Sequence, residues 1–374
     1  MKTVLTEILG IRHPLVGFSR SPGVVAAVSR AGGLGVFAAT AYRLEELDAQ
    51  LTWIGQQAGG RPYGVDLLVP PATEGGADLL AALRAQIPER HVRFVQDLLA
   101  EHGIDAPDLA QGTGASDDTV QGLSPEGVQQ ILDVTFAHPV ALVANGLGTP
   151  PPAMLHGGRT HGIPVASLVG AGKHAVAQLE LGVDVLVAQG TEAGGHTGTI
   201  ATMVLTPEIV DLAGDAPVLA AGGIADGRQM AAALALGASG VWCGSVWLNS
   251  HEDITTPVVK QKFVEATSAD TVRSRSRTGK AARQLRSAWH EAWERPGAPV
   301  PLPMQQQVLL AKDAWTEIDR AAETGHAGAR ELESFFVGQV VGSFGELRSA
   351  EEITEEIVAG CRRRLVELSL LAQG

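Results

Sequence analysis

The stretch "PVASLVGAGKHAVAQLELGVDVLVAQ", Pro164 to Gln189, sets the fold. Pro164–Val169 is a short apolar run that stops at a glycine. An alanine-rich segment with apolar residues at helical spacing follows, and Asp184–Gln189 is a second apolar run. Continuous rather than alternating apolar runs belong to strands buried on both faces. A helix-length connection between two such strands makes them parallel neighbours.

The same rhythm extends in both directions. Strand-like runs precede this unit at Pro14–Phe18, Gly35–Ala39, Tyr63–Pro70 and Val140–Asn145, and follow it at Pro217–Gly222 and Gly240–Ser245. Eight βα repeats within the first two-thirds of the chain predict an α/β fold of the closed (β/α)8 TIM-barrel type. The rival architecture is an open doubly wound sheet. The rhythm breaks between about 71 and 123, which predicts an insertion after strand three. It contains one helix, "HVRFVQDLLAEHG", and a polar tract, "GTGASDDTVQG". Ser124 and Pro125 then mark a helix start, as N-cap and first helical residue. Beyond Ser250 the chain turns helical and charged, with a Pro-rich connector at Arg295–Pro303. The expected organisation is a barrel over 1–250 carrying the 71–123 insertion, and a C-terminal helical subdomain over 251–374 packing near the barrel mouth.

Composition bounds the function. Of 374 residues, 45% are hydrophobic and 18% charged, a globular balance, and 4% aromatic content demands an aliphatic core. A net charge of −13 argues against a nucleic-acid partner, which needs a basic face. One basic run exists, "RSRSRTGKAAR" (Arg273–Arg283), suited to a substrate anion or a pyridine-nucleotide phosphate, or else to a solvated helix face. The two cysteines, Cys243 and Cys361, suggest no disulfide framework. No secretory h-region and no membrane-length apolar window is present, so the expected compartment is the cytoplasm.

In a barrel the βα loops at the C-terminal face build the site. Here "AAGGIADGRQ" follows strand seven and "CGSVWL" strand eight. Their glycines, Gly222, Gly223 and Gly244, leave amides free for a phosphate, and Ser245 adds a hydroxyl. Glycines that merely end strands are the plain alternative. After strand six comes "AQGTEAGGHTG" (Ala188–Gly198), where Gly194 and Gly195 admit close approach of a planar group and His196 stands beside it. A surface histidine without a chemical task is the alternative there.

Taken together, "AQGTEAGGHTG", "AAGGIADGRQ" and "GVWCGSVWL", with "PLVGFSRSPGVVAAVSRAGGLGVF" at the start and "GKAARQLR" after the barrel, resemble the nitronate monooxygenase family, formerly 2-nitropropane dioxygenases. The likeness covers roughly Leu15 to Gln284 without the insertion. It implies an FMN cofactor with its phosphate at Gly222, Gly223, Gly244 and Ser245, and with Gln189, Gly194 and Gly195 along the ribityl chain or ring. His196 is similar to the family's catalytic histidine. The resemblance further implies that Gly17, Phe18 and Ser19 lie beneath the ring, where the family usually has a proline-methionine-alanine turn. Asp66 stands where strand three usually carries an asparagine near the flavin. These departures bear on substrate more than on cofactor.

The activity so implied is oxidation of a small nitronate or similar electron-rich substrate with O2. An NAD(P)H-dependent flavin reductase acting on quinones, or on enoyl thioesters like the FabK-type enzymes, is the alternative within the fold. A flavin- or anion-binding regulatory protein whose helical tail recognises a partner is the non-enzymatic alternative. The oligomeric state, a homodimer included, is left open. Other matches fail. "GGLGVF" precedes a strand rather than opening a helix, and "LVGAGKH" lacks the first glycine and the Ser/Thr of a P-loop. His156 and His161 have no carboxylates at ligand spacing, so no metal site is expected.

Overall fold

The computed structural model describes residues 1–39, 42–67, 76–106, 109, 125–146 and 148–373. The strands are β1 (Leu15–Ser19), β2 (Leu34–Ala38), β3 (Tyr63–Leu67), β4 (Leu142–Asn145), β5 (Val165–Val169), β6 (Val185–Gln189), β7 (Gly195–His196), β8 (Val218–Ala221), β9 (Gly240–Cys243), β10 (Thr271–Ser274) and β11 (Ala282–Leu285). Eight of them close into a parallel barrel in the order β1-β2-β3-β4-β5-β6-β8-β9, with β9 pairing back onto β1. Every apolar run singled out in the sequence supplies one stave. The third stave ends at Leu67; the rest of the run to Pro70, and the tract Gly112–Gly122, lie outside the described residues.

The helices, in chain order, are α1 (Val4–Leu9), α2 (Pro22–Arg30), α3 (Leu44–Gln57), α4 (Gly76–Ala85), α5 (Glu89–Glu101), α6 (Pro125–Ala137), α7 (Pro152–His161), α8 (Gly172–Glu180), α9 (Thr202–Ala213), α10 (Gly227–Ala235), α11 (Pro257–Glu265), α12 (Ala288–Glu294), α13 (Met304–Glu323), α14 (Ala327–Leu332) and α15 (Ala350–Leu371). Alternation along each stave divides the core in two. Val16, Val36, Leu142, Val185 and Leu219 fill the barrel interior, and Leu5 and Leu9 of α1 join them from below. Tyr63, Val65, Leu67 and Leu186 face the outer helices instead. The floor is therefore apolar and closed, and polar chemistry is confined to the opposite rim.

The stretch 251–374 is shared among three cores, one of them its own, of Val259, Phe263, Leu285, Val337 and Val341. Trp289, Trp293 and Trp315 from α12 and α13 pack with Val95, Leu98 and Leu99 of α5, so the insertion and the post-barrel helices bury one another. The ring contacts are close, with Trp289 and Trp315 centroids 5.2 Å apart and Phe94 edge-on to Trp293 at 4.8 Å. α15 instead returns to the barrel flank, burying Ile353, Ile357, Val358 and Cys361 against the layer of α2 and α10. The basic run is not a helix face. It forms the ends and turn of an antiparallel hairpin, β10–β11, because arginines alternating with small polar residues fit a two-sided extended strand better than an amphipathic helix. No helix among the described residues is long and apolar enough to cross a membrane.

Candidate active site at the barrel mouth

At the rim, Ala221 of β8 pairs with Trp242 of β9, so the loops that follow, Gly222–Gly223 and Gly244–Ser245, start side by side. Gly222 has φ +98° and Gly223 φ +72°, conformations that favour glycine. Among the described residues, no acceptor meets the main-chain N–H groups of Gly222, Gly223 or Gly244. Three unpaired donors on adjacent staves form a cradle for an anion. The Ser245 hydroxyl accepts the Gly338 N–H at 2.8 Å and keeps its own proton to donate.

The loop after β6 is locked to this cradle. The Glu192 carboxylate accepts from the Thr202 N–H, at 3.1 and 3.0 Å for its two oxygens, and from the Thr202 hydroxyl at 2.9 Å. That hydroxyl also lies 3.0 Å from the Gly222 carbonyl. Gly194 and Gly195 then play different parts. A Cβ on Gly194 would sit 2.9 Å from the Gly338 nitrogen and the Val337 carbonyl carbon, so its bareness admits the C-terminal chain rather than a ligand. Gly195, at φ +77°, faces open space.

His196 is held by a sheet that carries no apolar signature. β7 pairs antiparallel with β11, Ala282 opposite His196 and Arg283 opposite Gly195, in a three-stranded sheet β10-β11-β7. Two arginines of the basic run fasten the flanks. Arg283 donates from Nε to the Thr191 carbonyl at 2.8 Å, and Arg273 from Nη2 to the Thr197 carbonyl at 2.9 Å. Two arginines of the run thus serve the loop as donors to its carbonyls, a role the sequence does not announce. His196 Nδ1 lies 3.4 Å from the Ala281 carbonyl, which only accepts, so the proton sits on Nδ1 and Nε2 keeps its lone pair. Burial, more than the nearby Lys280, pulls the imidazole pKa below its usual value, while the Ala281 carbonyl opposes the shift. The half-buried ring leans toward Phe336, with centroids 6.5 Å apart.

The interior layer below the loops holds the other candidates. Phe18 points inward and stacks on Trp242 at 5.8 Å. Gly17 and Ser19 face outward. A Cβ on Gly17 would meet Val28 Cγ2 at 2.9 Å, and the Ser19 hydroxyl accepts the Ser21 N–H at 3.0 Å. Gln189 ends β6 facing inward, and its amide bonds to no described residue. Asp66 is 6% exposed in the interior, its carboxyl beside Gly146, with Oδ1 fully buried and without a partner among the described residues. Burial raises its pKa to about 7.

The structure therefore brings His196, Gly195, Gly222, Gly223, Gly244, Ser245, Gln189, Phe18 and Asp66 to one rim. Gly17, Ser19 and Gly194 serve the packing around it. Sequence reasoning missed Glu192, Thr202, Arg273 and Arg283 as the residues that fix the loop. A lone acid and a threonine a few residues either side of the glycine pair were the only signal. No cluster of three or more metal-ligating side chains occurs among the described residues. A groove of 870 Å³ also runs down the flank between α10 and α15, but two arginines on its wall are engaged with carboxylates, Arg228 with Asp226 and Arg364 with Glu367.

With this geometry in hand, comparisons with known proteins converge. A profile of the nitronate monooxygenase family matches residues 2–360. A Mycobacterium tuberculosis protein provisionally named a monooxygenase is 52% identical over 362 residues, covering 96% of each chain. Nitroalkane oxidase from Streptomyces ansochromogenes superposes with a TM-score of 0.78 at 26% identity, over 97% of this chain and 99% of that one. FabK from Thermotoga maritima does so with a TM-score of 0.72 at 27% identity, over 99% of both chains.

Proposed function

The chain belongs to the nitronate monooxygenase family, and on that premise we propose that it is an FMN-dependent oxidoreductase that oxidises a small nitronate or a similar electron-rich anion with O2. One observation carries the reading: three amides just after the seventh and eighth staves that meet no acceptor among the described residues, beside a loop that holds a histidine kept neutral by burial. The Gln189 side-chain amide, which bonds to no described residue, gives a planar polar ring a further point of attachment. The donor set fits FMN. When bound, FMN would accept the electrons and pass them to O2.

The chain's own residues then have definable tasks. Gly222, Gly223 and Gly244 bind the phosphate through main-chain N–H groups, and Ser245 adds its hydroxyl. Phe18 on Trp242 gives an apolar floor that excludes water below the ring. His196 Nε2 would take the acidic proton from the neutral conjugate acid of the substrate and, once protonated, hold the anion so formed, while Nδ1 stays bound to the Ala281 carbonyl. Two free, buried cysteines, Cys243 and Cys361, support placing the reaction in the reducing cytoplasm.

Purified protein should be yellow and should release FMN on denaturation. A colourless protein that takes up no added FMN rejects the reading. The similarity to FabK favours a second reading, a reductase that draws on NAD(P)H to act on quinones or enoyl thioesters. Anaerobic mixing with NADH separates the two, since rapid flavin bleaching belongs to the reductase alone.

A further inference from the structure

The outward face of α15 carries a charge pattern that its own chain leaves almost unused. The helix buries Ile353, Thr354, Ile357, Val358 and Cys361 on the barrel flank. The opposite face, at helical spacing, holds Glu355, Glu356, Ala359, Arg362 and Arg363, all exposed. The charges are antisymmetric about Ala359, with two acids four and three positions before it and two arginines three and four after it. Val366 and Leu370, 62% and 64% exposed, continue the stripe toward the C-terminus.

Neither common use of charge on a surface helix accounts for this order. Ion pairs along one helix form between residues three or four apart. Here each acid stands six to eight positions from each arginine, so none of the four meets another on its own helix. The macrodipole acts on the first and last turns, whereas these residues lie in the middle of Ala350–Leu371. Among the described residues Glu355, Arg362 and Arg363 form no ion pair, and Glu356 is engaged by Arg348 from the loop ahead of the helix.

A second copy of the helix, running antiparallel, supplies the missing charges. Residues seven apart nearly coincide in angle, so Glu355 and Arg362 share one edge of the stripe and Glu356 and Arg363 the other. A two-fold axis at Ala359 keeps each edge on its own side and reverses the chain. Glu355 of each copy then meets Arg362 of the other, and Glu356 meets Arg363. The small Ala359 side chain at the crossing lets the two helices approach closely. A chain of net charge −13 repels its copies over most of its surface, but this stripe is neutral and ordered to attract. We propose that the exposed face of α15 is the interface of a two-fold homodimer, held by these four cross-chain pairs around Ala359. The proposal is independent of the flavin reading. Exposed ion pairs contribute little each, so the dimer dissociates on dilution and in salt.

Sedimentation equilibrium of the full chain tests it. Over a concentration series the mass should climb from 38.9 kDa toward twice that value, and added salt should raise the dissociation constant. Glu355→Arg and Arg362→Glu each bring like charges together at two contacts. Each should weaken association at least about tenfold while the melting temperature stays at the wild-type value. An equimolar mixture of the two variants restores opposite charges at both of those contacts, and should associate as the wild type does. Glu356→Arg and Arg363→Glu repeat the test on the other edge, and serve in place of the first pair if either of its members fails to fold. A wild type that keeps the monomer mass at every concentration overturns the proposal and leaves the stripe to solvent or to a different protein. Single variants that associate like wild type, or a mixture that does not recover, overturn it as well.

Discussion

His196 owes its chemistry to one carbonyl and to burial. With Nδ1–H turned to Ala281, Nε2 is the only basic atom of the ring. Because burial lowers the pKa from its usual 6.5, the basic form persists at neutral pH and below it. Substrate-dependent flavin reduction should therefore hold level through neutrality and decline only once the pH falls below about 6.5. His196→Asn should slow that step about 10²- to 10⁴-fold with FMN content unchanged, checked by anaerobic stopped-flow and cofactor release. A variant reduced as fast as wild type would remove His196 from the reaction. Gly222 offers a complementary test on the cofactor side. An alanine there must adopt φ +98° and bring its Cβ within 3.0 Å of the Thr202 hydroxyl. Gly222→Ala should cost about 1–2 kcal/mol of stability and weaken FMN binding at least tenfold, by thermal melts and titration. It should also shift the His196 loop, since the same Cβ meets the Ala193 nitrogen and the Gly190 carbonyl oxygen at 3.1 Å.

The hairpin β10–β11 is the element on which His196 depends. Arg283 is 8% exposed and splits its donors between the Thr191 carbonyl and the Thr271 hydroxyl. Arg283→Ala leaves that carbonyl unmet, at about 1–3 kcal/mol, and Arg283→Lys cannot reproduce the fork. Both variants should lose turnover more than FMN affinity, and limited proteolysis should cut between Gly190 and Gly198 faster than in wild type. The same hairpin shows where the sequence stops being informative. The barrel staves were legible because each is a short, mostly apolar strand of four or five residues buried on both faces, as in Val165–Val169 and Val185–Gln189. β7 is two residues, Gly195 and His196, and β11 pairs with it from far along the chain, so no local pattern marks either. Glycines at the proposed phosphate cradle were legible as unencumbered amides. Gly194 was not, since its purpose is the passage of Val337 and Gly338, which only the tertiary fold brings near. Asp66 could be placed on a strand, but whether its carboxyl is paired depends on what the neighbouring staves present.

Across the whole molecule, the cradle is supported from outside the barrel. α10 begins immediately after the Gly222–Gly223 turn, capped by Asp226, whose carboxylate accepts the N–H groups of Arg228 and Gln229 at 2.8 and 3.1 Å. α15 lies directly on that helix start, close enough that a Cβ on Gly227 would fall 2.2 Å from the Cys361 nitrogen. The contact is backbone against backbone, so a side chain there cannot be accommodated by a rotamer change; the two helices must separate. Separation would uncover Ile353, Ile357, Val358 and Cys361 and tilt the segment that aims the Gly222 and Gly223 amides. Gly227→Val should therefore lower the melting temperature and weaken FMN binding together, although residue 227 lies on the flank and not at the rim. Gly237, at the other end of α10, provides the control. Gly237→Ala strains a turn at φ +94° without touching α15, so it should cost stability of similar size, about 1–2 kcal/mol, while the affinity for FMN stays at the wild-type value. If the two substitutions weaken FMN equally, the helix merely carries the loop. If only Gly227→Val does so, the C-terminal helix is part of what sets the cradle.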